Sequence, residues 1–246
     1  MAALARRRPL LRLGATVLLA TALSVLPASC GSAEFRYVRD SQAGTGFKVP
    51  SDWTVFDKNT FLGTSSGPTA STPDPIQWLV AVDGDPTPSP GHVFNQSQLA
   101  TSHPDGFAMV FTLSSADRDR MSIAGIRNFL FPVDQLMNLG SDDATMKSYD
   151  DSVTTDEGLR GVRMVFEFRA AALDEVNQDP NASESTSSGS EAAVAFSNDF
   201  VVMDQVGYVD DATNKLYVMA LMCSADCYDR YQREIANSIE SWTVRP

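Results

Sequence analysis

The sequence predicts an α+β fold, an antiparallel sheet with helices packed against it. Three observations predict it. Several short stretches alternate apolar and polar residues between Gly, Pro, Asn and Asp. A hairpin pattern surrounds Gly158. One clear amphipathic helix lies near the C-terminus. At 246 residues, 43% hydrophobic and 20% charged, the chain can bury a core, which excludes a wholly disordered protein.

The first segment reads as an address. Residues 1–29 hold Arg6, Arg7, Arg8 and Arg12 and no acid, then an uncharged apolar run at 13–26, then Pro27, Ala28 and Ser29. That is the order of a secretory signal peptide. The run is shorter than the about 20 apolar residues that span a bilayer. Small residues before Cys30 resemble a bacterial lipobox, in which the Cys sulfur receives a diacylglycerol and the Cys becomes the new N-terminus. Pro27 stands where that pattern usually has Leu, and cleavage without lipid is the alternative. Two or more acyl chains anchor a protein stably. Sec and twin-arginine export both fit the basic start. Residues 30–34 then form a lipidated tether.

Removing residues 1–29 takes away four Arg, leaving 15 basic and 31 acidic residues, a balance of −16. Such a body is expected to stand off anionic lipid. It is a poor partner for nucleic acid, which needs clustered Lys and Arg.

Residues 35–246 read as one domain. Strands are expected near 35–38 and 54–56, and 47–50 alternates and ends in a proline before a turn at 51–53. Residues 63–75, rich in Gly, Ser, Thr and Pro, form a loop. The apolar run 76–82 suits a strand buried on both faces. Pro86, Pro88 and Pro90 make 83–91 loop. Residues 107–113 form another strand. Ile123, Ile126, Phe129 and Leu130 have helical spacing, and 133–139 can continue as helix after Pro132. Residues 149–155 and 162–168 make the hairpin, with Val162, Met164, Phe166 and Phe168 on one face. The acidic, polar segment 174–192 is expected to be a disordered loop. Strands at 200–209 and 215–222 flank a turn at 210–214.

The final helix has Ser224 as N-cap, Asp226 in its first turn, and Tyr228, Tyr231, Ile235 and Ile239 on one face. Residues 242–244 end the chain as a short strand or packed tail. With Cys30 assigned to lipid, Cys223 and Cys227 remain, in a compartment that permits disulfides. We expect them paired, with Cys223 on the strand end and Cys227 in the helix's first turn, because disulfide geometry needs converging Cβ vectors. Free thiols are the alternative. A metal site would need further ligands, and His92 and His103 are remote in sequence and lie in Pro-rich stretches.

Three stretches resemble a known family. The run Gly-Phe-Lys-Val-Pro-Ser-Asp-Trp at 46–53 resembles the opening F-x-V-P-x-x-W of PsbP-like lipoproteins. The end, from Cys-Ser-Ala-Asp-Cys-Tyr at 223–228 to Ser-Ile-Glu-Ser-Trp-Thr-Val at 238–244, is similar to the tail of secreted actinobacterial lipoproteins of that type. Gly-Leu-Arg-Gly-Val-Arg at 158–163 looks like their mid-chain hairpin. The resemblance implies a PsbP-like α/β/α sandwich and non-catalytic binding or assembly at a membrane surface. It supplies no catalytic residues.

Residue patterns for chemistry are weak. Gly63, Ser65 and Gly67 fit G-x-S-x-G, but Pro68, Pro73 and Pro75 follow where a nucleophile elbow needs a helix. Asp83-Gly84-Asp85 and Asp210-Asp211 lack the twelve-residue calcium pattern and read as solvated turns. Trp53, Trp78 and Trp242 read as core. No cofactor motif is present. The expected function is therefore a lipid-anchored, extracytoplasmic, non-enzymatic protein at the cell membrane. It would bind an envelope protein or small ligand. The alternative is an envelope hydrolase using carboxylates, which two facing buried carboxylates in a pocket would favour.

Overall fold

The structure is a computed structural model that describes residues 34–63, 74–93, 95, 98–177, 198–210, 212 and 214–245. Residues 1–29, Cys30 and most of the G-x-S-x-G stretch lie outside these.

The fold is α+β. Strands β3 (Thr54–Asp57), β4 (Ile76–Asp83), β5 (Asp105–Thr112), β6 (Ala144–Asp150), β7 (Arg160–Arg169), β8 (Phe200–Asp210) and β9 (Lys215–Ser224) form one sheet. Their order is β3-β4-β5-β9-β8-β7-β6. Every neighbouring pair is antiparallel. A second sheet, in the order β1-β2-β10, joins β1 (Phe35–Asp40), β2 (Thr45–Pro50) and β10 (Thr243–Val244). It ties the start of the domain to its end, Thr243 opposite Gly46.

Alternation along each strand divides the side chains between two faces. Val202 and Val206 of β8 and Tyr217, Met219 and Leu221 of β9 face helix α6 (Ala225–Glu240) and the small sheet. Tyr228, Ile235 and Ile239 of α6 complete that core, with Phe47, Val49 and Trp242. The opposite face is covered by α3 (Ile123–Arg127) and α4 (Val133–Leu139), through Ile126, Val133 and Leu136. On β7 the burial follows the alternation from Val162 onward, Val162, Met164, Phe166 and Phe168 being buried and Arg163, Val165, Glu167 and Arg169 half-buried. The N-cap of α6 is the Ser224 hydroxyl, which accepts from the Cys227 N–H at 3.3 Å.

Several boundaries differ from expectation. Strand β4 is buried on both faces only from Leu79 onward. Strand β6 starts at Ala144, earlier than the alternation suggests. Three short helices were not expected: α1 (Lys58–Leu62), α2 (Ser115–Arg120) and α5 (Ala172–Asn177). One or two turns cannot show a 3.6-residue period. In the structure α1 is capped by Asp57, which accepts from Thr60 N–H, and α2 by Ser114, which accepts from Asp117 N–H. Helix α5 corrects the expected acidic loop, because 174–177 are helical. Ala172 and Leu173 are buried, and Val176 packs on the same cluster. These contacts repay the ordering of its backbone. Residues 178–192 lie outside the described ones.

Candidate functional site

Three clusters can be built from the residues upward. The first is at the sheet end where β4 passes to β5. Asp83 and Asp105 are direct cross-strand neighbours, and both are buried. Between them the Pro-rich excursion 84–104 must satisfy its own N–H groups. Asp83 does much of this. Its Oδ1 accepts from Asp85 N–H at 2.8 Å, and its Oδ2 accepts from Ser89 N–H at 2.9 Å and lies 3.0 Å from His92 Nδ1. The Asp85 carboxyl is held below its usual range, chiefly by the Thr87 N–H; its Oδ2 lies 3.4 Å from His103 Nδ1. Thr101 Oγ1 lies 2.8 Å from His103 O and 3.0 Å from Asp105 Oδ2. Asp83 is thus buried, which corrects the reading of Asp83-Gly84-Asp85 as a solvated turn. Asp210 is buried as well.

The two histidines meet at this pocket of about 80 Å3, lined also by Gln98 and the three aspartates. Ligand pockets run about 300–1,000 Å3. The two facing buried carboxylates that would favour a hydrolase are present, but Asp83 holds the loop through its hydrogen bonds and the pocket between the described residues is smaller than a usual ligand site. Among the described residues, no three His, Cys, Asp or Glu side chains are disposed to hold a metal ion.

The excursion is fastened to α6. Ser224 N–H donates to Thr101 O at 2.9 Å, Arg230 donates to Ser102 O at 3.1 Å, and the His103 and Tyr231 rings are 6.2 Å apart. Beside this contact Cys223, on β9, is joined to Cys227, in the first turn of α6, with Cα atoms 5.8 Å apart. Both are fully buried. So the histidines, remote from the cysteines in sequence, lie close to the same helix end.

The second cluster lies beneath the other end of α6. Arg163 Nη2 donates to Asp204 Oδ2 at 3.1 Å and its Nη1 to Glu240 Oε1 at 3.1 Å. Asp204 has no exposed surface, and burial pushes its carboxyl up despite the guanidinium. Tyr228 is raised by burial first and by the Asp204 charge second. An acid in the middle of the apolar strand β8 was the available signal for this cluster. It opens into no pocket described above and reads as an internal joint.

The third is a recess of about 480 Å3 beside the small sheet, lined by Tyr37, Arg39, Asp40, Thr45, Phe47 and Arg245 among others. Tyr37 is 67% exposed, with the Arg39 guanidinium 4.9 Å above its ring. Asp40 Oδ1 accepts from Gln42 and Ala43 N–H at 2.8 and 2.7 Å. Thr45, in the lining, is held by Trp242, whose Nε1 donates to Thr45 Oγ1 at 2.6 Å. Of the other tryptophans, Trp53 is core and Trp78 packs partly buried against it. Sequence reasoning missed this recess because its walls come from both chain ends.

No family model and no curated protein matches the chain. Among solved structures it is similar to cyanobacterial PsbP (CyanoP) from Synechocystis sp. PCC 6803, at 12% identity and TM-score 0.42, over 88% of this chain and 96% of that one. It is similar to the Ran-binding protein Mog1p of Saccharomyces cerevisiae, at 12% identity and TM-score 0.42, over 87% and 96%. It is also similar to PA94 of Pseudomonas aeruginosa, described as a protein of unknown function and putative regulator, at 10% identity and TM-score 0.32, over 87% and 99%.

Proposed function

We propose that the chain is a lipid-anchored extracytoplasmic protein that binds a protein partner or small ligand at the cell envelope without catalysis. The observation that carries the binding reading is the recess beside the small sheet. It has the volume of a ligand site. Its lining offers an exposed Tyr, two guanidiniums and hydroxyls, but no His, Cys or Glu. Its one carboxylate, Asp40, caps its own turn. The histidines, the usual general bases near neutral pH, sit instead in the small pocket against aspartates. The anchor reading rests on Cys30 after its apolar run, and the resemblance to PsbP-like lipoproteins agrees with both.

The test has two arms. Cys30→Ala should move the protein from the membrane fraction to the soluble exported fraction or leave it uncleaved; unchanged retention with normal processing rejects the anchor. Envelope extracts passed over the protein should yield a partner or ligand whose capture is lost in Tyr37→Ala with Arg39→Ala. Capture that ignores both substitutions rejects the recess.

A further inference from the structure

We propose that the outer face of the three-stranded sheet is a docking surface for anionic lipid headgroups. This rests on the anchored reading and names the ligand class of the same site. Alternation assigns the faces. Val38 packs on the core and Arg36 reaches the Trp53 carbonyl, so 35, 37 and 39 point outward. Their partners on β2 are Pro50, Lys48 and Gly46. Lys48 Nζ lies 4.9 Å from the Phe35 ring centre, as Arg39 does from Tyr37. A Cβ on Gly46 would meet the Arg39 side chain at 2.9 Å, so the guanidinium stem lies flat across the sheet. Arg245 flanks the same recess, its Nε 3.8 Å from Glu157 Oε1.

Charge makes this face the exception. The outward positions of β1 and β2 carry Arg39 and Lys48 and no acid, with Arg245 at their edge, in a chain whose net charge is −12. Glu34 adjoins them. The acidic body as a whole is repelled by an anionic surface, whereas this patch is attracted. The two forces together turn the small sheet toward the bilayer.

Position agrees. Strand β1 begins five residues after Cys30. At no more than about 3.6 Å per residue, five residues keep the start of β1 within roughly 18 Å of the Cys30 Cα. Attraction of Lys and Arg to anionic lipid acts within about 8 Å at physiological salt. An exposed Tyr among cations is the composition of an interfacial contact.

The experiment uses the lipidated chain carrying Tyr37→Trp, reconstituted into vesicles with brominated phosphatidylglycerol or with brominated phosphatidylcholine alone. The parent chain, whose Trp53 and Trp242 are buried, is the blank. Quenching of the new indole is expected on the anionic vesicles only. It should disappear at high salt and with Arg39→Gln plus Lys48→Gln, while Lys48→Arg keeps it. Equal quenching on both vesicles, or quenching indifferent to charge, overturns the docking face. The N-terminal peptide mass reads the anchor separately. Absence of diacylglycerol on Cys30 overturns the anchored reading and the inference with it, whereas a lipidated chain without quenching overturns the inference alone.

Discussion

Arg163–Asp204 and Arg127–Asp134 are chemically the same pair, set on opposite faces of the seven-stranded sheet. Asp204 is fully buried beneath α6, and there desolvation outweighs the guanidinium, so its carboxyl is raised. Asp134 lies between α3 and α4 with 47% of its side chain exposed. Its carboxyl is lowered, first by the Arg127 hydrogen bond and then, against the small burial cost, by Asn128. The partner's identity does not fix the sign; the water left around the carboxylate does. One pair is an internal joint that is costly to break, the other a surface latch on the α3–α4 connection.

The largest effect should come from breaking the buried pair on one side. Arg163→Met leaves Asp204 inside with only Tyr228 beside it, and urea unfolding at neutral pH should show a loss of about 3–5 kcal/mol. Adding Asp204→Leu should recover most of it, because both charges then leave the interior. A single variant as stable as the parent would break the contrast.

Helix α6 is also held at its other end, where Cys223 and Cys227 meet. Mass spectrometry of the protein without reductant should find no alkylatable thiol at either residue. Replacing both by Ala should cost about 1–3 kcal/mol for so short a loop. Two free thiols would leave Arg163 as the main tie of α6.

pH sharpens the comparison by sign. Asp204 has a raised folded pKa, so its contribution to stability is full below the ordinary carboxylate value near 4 and is lost as pH rises through the folded value. Asp134 has a lowered one, so its contribution is present above that value and is lost as pH falls through the folded pKa. Melting curves of Asp204→Asn should therefore flatten relative to the parent above about pH 4, and those of Asp134→Asn below it. Identical changes in both limbs would contradict the assignment.

The smallest effect belongs to the exposed latch. Arg127→Met should cost less than about 1 kcal/mol at neutral pH, screened further by salt. Glu240→Gln, whose side chain is 61% exposed against Arg163, should be similar. A larger loss at either would mean that these surface pairs organise their helices.

Legibility followed the range of each signal. Strand β7 could be read because one face is wet enough to keep Arg163, Glu167 and Arg169, which marks the alternation. Helix α6 carries four turns of pattern, whereas α1 and α2, of one or two turns, carry too little to be read. The candidate sites were nearly silent. Asp83 and Asp105 meet across 22 positions, and Tyr37 and Arg245 share a recess from opposite ends of the domain. Local periodicity holds no information about such meetings.

By itself, the sequence determined the α+β class, the faces of the main strands, the span of α6 and the placement of Cys223 before Cys227 at a strand-to-helix junction. Each follows from residues within a few turns or pleats of one another. Only the tertiary structure decided that β5 pairs with β9 rather than β6 and that β10 closes on β2. Those contacts were chosen by which apolar faces could be covered together. The same choice buried Asp204 and left Asp134 wet, and so set opposite signs on two identical pairs.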